Sequence, residues 1–224
     1  MAGTTTSICI LNRVSIDMSM HIHRDAIFLS TPEQIKPILD EDDSHSIQFR
    51  ESCYCEQRKA MQHISRGTIQ LLNTIFSMVE KLKQAPEDTR IKFIELVEYV
   101  DKDGDTQLNI LLCNIESYWN ELLGQIAGCV FLKPCKILLN RANLVGQTPL
   151  IVAVQSDPAY PDLVRVLVLL GADPDKCDDS KNNARSYVRQ TGQRELLAAI
   201  EEITQEEFLE LKALAQPFGL ELPF

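Results

Sequence analysis

Apolar positions recur at three- and four-residue steps over much of this chain, the spacing of helices that each bury one face. The clearest run lies in residues 56–83, where Ile64, Ile69, Leu71, Leu72, Ile75, Val79 and Leu82 predict one or two helices. "QAPEDT" (84–89) breaks the run, and "RIKFIELVEYV" (90–100) predicts a further short amphipathic helix. Upstream, "STPEQIKPIL" carries start signals: Ser30 or Thr31 can cap, Pro32 suits a first turn and Glu33 favours the positive end of the helix dipole. "DEDDSHS" (40–46) reads as an acidic loop, and "TSICILNRVSI", within the mixed first 30 residues, fits a strand. Near the other end, Thr204 and Glu207 form a capping-box pattern, and Pro217 stops the helix they open.

From residue 101 the pattern repeats. "DKDGDTQLNILL" starts at Asp101 with Gly104, "NLVGQTPLIVAV" at Asn143 with Gly146, and "DDSKNNARSYVRQTGQRELLAAI" at Asp178 with Lys181 in the turn position; the anchors lie 42 and 35 residues apart. Each position has a physical role. Gly146 allows the backbone of a tight turn, Thr148 caps, Pro149 fixes φ where no N–H is needed, and Gly171 ends a second helix. Leu150, Ala153, Val164, Leu167 and Val168 make faces that only a neighbouring unit can bury.

These segments resemble ankyrin repeats, units of about 33 residues that open on D-x-x-G-x-T-P-L-H-x-A and close on L-L-x-x-G-A-D. The middle segment matches best, through Gly146, Thr148, Pro149, Leu150 and Ala153, then "LVRVLVLLGADPD" (163–175). The last resembles a terminal repeat at "ARSYVRQTGQRE" (184–195), and the first has Gln107 for proline and Asn109 for histidine. The resemblance implies an all-α fold, a short ankyrin-repeat solenoid. Its parts are an N-terminal helical region or cap over 1–89, repeats over 90–204 (about 101–142, 143–177 and 178–203), and a C-terminal capping helix and tail over 205–224. The spacing excess over 33 residues is placed around "ESYWNELLGQIAG" (116–128) and "QSDPAYPD" (155–162).

The first anchor invites another reading, because Asp101, Asp103 and Asp105 occupy positions 1, 3 and 5 of a calcium loop. Such a loop wants glycine at position 6 and a bidentate glutamate at position 12, where this chain has Thr106 and Leu112. The turn reading is preferred, and no metal or other cofactor is expected.

Charge narrows the partners. The net charge is −10, with 22 Lys and Arg against 32 Asp and Glu, so neither nucleic acid nor an anionic membrane is expected as a partner. No apolar run reaches the length of a membrane span, and a Sec leader, myristoylation and prenylation are not expected. Seven cysteines without a framework spacing fit a reducing, cytoplasmic setting, or the host cytoplasm for a secreted effector. Cys53 and Cys55 with His63, and His21 and His23 with His45, are the soft-ligand clusters; ordinary thiols and imidazoles are preferred to zinc or to a thiol- or metal-dependent enzyme in residues 1–64. Residues 28–61 are similar in outline to an F-box through Pro32, Glu33, Ile35, Ile38 and Leu39, departing from it at Thr31, which would imply a ubiquitin-ligase substrate adaptor. A helix capping the solenoid is preferred.

The leading expectation is a non-enzymatic protein-interaction module, an adaptor, inhibitor or scaffold of a kind found among eukaryotic regulators and among effectors of intracellular bacteria or viruses. By resemblance, its partner contacts fall on the hairpin tips and the concave face. The tips are Asp103 and Asp105; Arg141, Asn143, Val145 and Gln147; Asp175, Lys176 and Ser180. The concave face is Asn109, Ile151 and Gln155, with Tyr160 in a loop. Tyr118 and Trp119 read equally as an interface hot spot or as core packing. Residues 195–224 hold seven Glu and one Lys, which suits a partner with a basic surface, although a solvated helix face is preferred.

Overall fold

The computed structural model describes residues 63–220 apart from 133 and 134, together with residue 222. The strand and the helix start expected before residue 40 lie outside these residues, as do the F-box-like segment and the cysteine pair of "CYC". What is described is helical, with a lone bridge between Val100 and Thr106 and no strand.

Helix α1 spans Arg66–Gln84. Residues 63–65 are not helical, and the Ser65 hydroxyl accepts the Thr68 N–H at 3.1 Å, so helix α1 begins at that cap. Its inner face is Leu72, Ile75, Phe76, Val79 and Leu82, all buried, each worth about 1.5–3 kcal/mol removed from water. Helix α2, Glu87–Glu98, starts earlier than the expected residue 90. Pro86 rigidifies its entry, and Glu87 and Asp88 lie in the first turn, where acidic groups complement the dipole.

Three helix pairs follow. Helix α3 (Gln107–Leu112) leads to α4 (Trp119–Phe131), with α5 (Cys135–Leu139) after it. Helix α6 (Pro149–Gln155) leads to α7 (Pro161–Leu169), and α8 (Ala184–Thr191) to α9 (Arg194–Ile200). The leading helices are capped by equivalent residues: Thr106 accepts from Asn109 N, Thr148 from Ile151 N, and Asn183 from Ser186 N. Helix α7 closes with Gly171 at φ +103°: Gly171 N–H donates to Val168 O and Ala172 N–H to Leu167 O, a glycine terminator that satisfies the last carbonyls.

In one row α3 packs on α6 and α6 on α8; each also packs on its partner, α4, α7 or α9. Leu108, Leu112, Leu150, Ile151, Leu163, Leu167, Val188 and Ile200 fill the space between. Helix α2 covers α3 and α4. Helix α1 lies against both α4 and α7. Helices α4 and α7 both begin 18 residues after their anchors, Asp101 and Asn143. The extra length of the first unit therefore falls later than the expected 116–128, in the extended end of α4 and in α5.

The last helix, α10 (Gln205–Ala215), opens on the expected capping box: Glu207 N–H donates to the Thr204 hydroxyl and Thr204 N–H to the Glu207 carboxylate. A short 3-10 turn, Gln216–Phe218, holds Pro217. This segment folds back on α1. Glu210 accepts the backbone N–H groups of His63 (3.1 Å) and Ile64 (2.9 Å), Lys83 Nζ donates to Phe218 O, and the Phe76 and Phe218 rings sit 5.7 Å apart. At the start of α1, the Ser65 and Thr68 hydroxyls both donate to Asp162 Oδ1 of α7. A Cβ at Gly67 would stand 2.0 Å from Asp162 Oδ2, so a side chain there would displace that carboxylate. Arg165 of α7 pairs with Glu207 of α10 and donates to Glu201 O at 2.7 Å.

Candidate functional site

The three anchors adopt one hydrogen-bonded turn. In each, the anchor N–H donates to the carbonyl four residues on: Asp101 to Asp105, Asn143 to Gln147, Asp178 to Asn182. The residue three on returns its N–H to the anchor carbonyl, and the anchor side-chain oxygen accepts the N–H of the residue four on. Gly104 (φ +77°), Gly146 (φ +80°) and Lys181 (φ +64°) hold the left-handed position. The turns also bond to each other in register. Leu144 N–H donates to Asp103 O at 3.1 Å, and Asp179 N–H to Val145 O at 3.2 Å. A Cβ on Gly104 would meet Leu144 N at 2.8 Å, and one on Gly146 would meet Asp179 N at 2.7 Å, so these two positions need glycine for approach as well as for φ. Lys181, in the last turn, points a side chain to solvent instead.

This ladder puts a row of side chains at one edge. Asp103, Arg141, Leu144, Val145, Asp175, Lys176 and Ser180 are exposed, Leu144 at 72% and Val145 at 53%. Leu144 had no periodic signal to distinguish it, because an apolar residue in a tip reads in sequence like any other loop residue.

Other residues that the sequence singled out serve the scaffold. Asp101 turns its carboxylate to the Asp103 and Asp105 N–H groups, and Leu112 is wholly buried. Asp105 Oδ1 accepts from Asn143 Nδ2 (2.8 Å) and Asn109 Nδ2 (3.2 Å), tying one turn to the next. Burial pushes its carboxyl up from the ordinary range against the pull of those two amides, with the Asp101 and Asp103 charges adding to the rise. Asn109 and Ile151, expected on an accessible concave face, are 1% and 0% exposed: the neighbouring helix of the same row covers them. Gln155 is half-buried and accepts from Gln147 Nε2 at 3.1 Å. Asp178, the third anchor, is buried and accepts the Tyr187 hydroxyl at 2.5 Å, and burial, then this bond and its charge, push Tyr187 up to about 12.

Tyr118 and Tyr160 hold equivalent positions as the caps before α4 and α7, so Tyr118 and Trp119 belong to the regular unit and not to the extra length. Trp119 packs on Tyr160, rings 5.3 Å apart at 55°, and together with Leu71 and Pro161 they wall an open groove beside the start of α1. A second groove lies between α5 and the loop after α7, lined by Lys136, Ile137, Asn140, Arg141 and Lys176. Of its residues Arg141 and Lys176 were expected as contacts and Lys136 and Ile137 were not, since α5 is too short to show a period.

Of the seven glutamates in the acidic end, Glu207 and Glu210 are buried and occupied internally. Burial works against the Glu207 charge, but the Arg165 and Thr204 hydrogen bonds outweigh it and hold the carboxyl below its ordinary value. Among the described residues no cluster of three or more His, Cys, Asp and Glu could hold a metal, and no helix is long and apolar enough to cross a membrane. No family model, curated protein or solved structure matches the chain.

Proposed function

We propose that this chain is a non-enzymatic protein-interaction module of the ankyrin-repeat type, which grips a partner protein through the exposed edge of its turns. The observation that carries the reading is the register of those turns. Three anchors share one hydrogen-bond pattern, and Leu144 and Asp179 stitch each turn to the one before. A row held in this way is rigid before a partner arrives, so little ordering entropy is lost on binding. Exposed Leu144 and Val145, flanked by Asp103 and Arg141, supply apolar contact with charges at the rim, the usual composition of an interface. Leu150, Ala153, Val164, Leu167 and Val168, which a solenoid of this type would bury between units, are buried here, while Asp103, Leu144, Val145 and Ser180 at the tips are exposed.

Affinity capture from a cytosolic extract, with the full chain as bait, tests the reading. The wild type is expected to retain a protein in near-stoichiometric amount, and Val145→Glu combined with Asp103→Arg is expected to release it. Both baits retaining the same proteins equally would refute the tip surface.

A further inference from the structure

We infer that the groove between α5 and the loop after α7 docks an acidic, leucine-bearing segment of a partner protein, an inference that rests on the interaction-module reading above. Lys136, Arg141 and Lys176 line this groove in a chain that carries ten more acidic than basic residues. Neither Arg141 nor Lys176 forms an ion pair among the described residues. Arg141 Nη1 donates to Glu98 O at 3.5 Å and Lys176 Nζ to Asn140 O at 2.6 Å, both neutral carbonyls. The carboxylate of Asp175, beside Lys176, is engaged by Arg185 Nε at 2.9 Å. Ile137 on α5 lines the same groove and is 66% exposed.

The groove is pre-formed. Asn140 Nδ2 donates to Gly171 O at 2.8 Å and to Lys136 O at 2.7 Å, while its Oδ1 accepts the Asp173 N–H at 2.7 Å. One side chain thus locks the end of α5 to the loop that presents Lys176. The α5 segment exists only in the first unit, so the site is a product of the extra length there and not of the repeat itself. Its chemistry sets its ligand. Carboxylates match the cations, and an apolar side chain beside them would cover Ile137. Three cations are few for a polyanion, and the net charge of −10 opposes nucleic acid and anionic lipid while a short acidic peptide feels mainly the local field.

Fluorescence anisotropy of the full chain with a fluorescein-labelled peptide alternating Glu-Asp pairs with leucine tests this. Saturable binding is expected, weakened about tenfold or more by Arg141→Glu and by Ile137→Asp, and weakened again when the peptide leucines become serine. Circular dichroism melts of both variants check that the fold is kept, and Lys176→Met, which removes charge without adding any, serves if Arg141→Glu unfolds. Equal binding by wild type and variants overturns the proposal, as does equal binding of the serine peptide, or tighter binding to a single-stranded oligonucleotide or to phosphatidylserine vesicles than to the peptide. Failure here with partner capture still lost on the tip substitutions would remove the groove and leave the tip surface standing. Peptide binding that depends on Arg141, with capture indifferent to the tips, would do the reverse.

Discussion

Asn143 is the side chain on which two turns depend. Its Oδ1 accepts from Gln147 N at 2.9 Å and Val145 N at 3.2 Å, and its Nδ2 donates to Asp105 Oδ1 at 2.8 Å. Asn143→Ala removes all of these. At about 1 kcal/mol for each neutral bond and somewhat more for the one to a carboxylate, discounted because the site is half-exposed and water replaces part of the loss, the cost is about 2–3 kcal/mol. For a chain of this size that is a fall in Tm of about 5–10 °C, and a matching shift in urea midpoint at unchanged slope. Asn143→Asp sharpens the test. It keeps both backbone acceptances but sets a carboxylate against Asp105, whose own carboxyl is already pushed up by burial. Like charges at that distance raise the pair's folded pKa above its unfolded value, so stability is present at low pH and lost as pH rises through the folded value. Asn143→Asp should then approach wild-type stability near about pH 4 and fall well below it near about pH 7, while Asn143→Ala shows a smaller dependence of the same sign. A loss under about 0.5 kcal/mol for Asn143→Ala, or an Asn143→Asp variant as stable as wild type near neutral pH, would refute the reasoning.

The other expectations also concern the turns and their ties. Gly146→Ala combines a left-handed φ with a Cβ 2.7 Å from Asp179 N, so urea unfolding should show a loss of about 2 kcal/mol or more. Lys181→Gly relieves the same backbone strain at an open site and should gain about 0.5–1 kcal/mol, measured by thermal melt; an unchanged or lower Tm would oppose it. Arg165→Ala leaves Glu207, 8% exposed, without its cation, and should cost about 3 kcal/mol near neutral pH. Because the folded Glu207 carboxyl lies below its unfolded value, the wild type keeps this contribution above the ordinary carboxylate range and loses it as pH falls, so the deficit of the variant should shrink in acid. Tyr187→Phe strands a buried oxygen of Asp178 at a cost of about 1–2 kcal/mol. It should also abolish one late tyrosine in an ultraviolet titration, since the stability tied to Tyr187 persists below its ordinary value of about 10 and is lost as pH rises through about 12.

Features set by neighbours in the chain were readable from the residues alone. Thr148 with Pro149, Thr204 with Glu207, and Gly171 after α7 all act within four residues, so their letters carry their geometry. The three aligned anchors likewise place a turn at Asp101, Asn143 and Asp178, since an acid or amide side chain closes it on its own backbone. Helix α2 was displaced only because "PED" breaks a pattern in sequence while Pro86 and the acids behind it open a helix. Long-range pairings were not readable. Ser65 and Thr68 meet Asp162 across more than ninety residues, and Glu210 caps His63 and Ile64 across nearly one hundred and fifty. An amphipathic helix declares that it has a buried face and leaves open what will cover it. For that reason the burial of Asn109 and Ile151, the seat of α1 on α4 and α7, and the meeting of Lys136 with Lys176 follow from packing among distant helices, where many pairings satisfy the same periodicity and shape complementarity selects one.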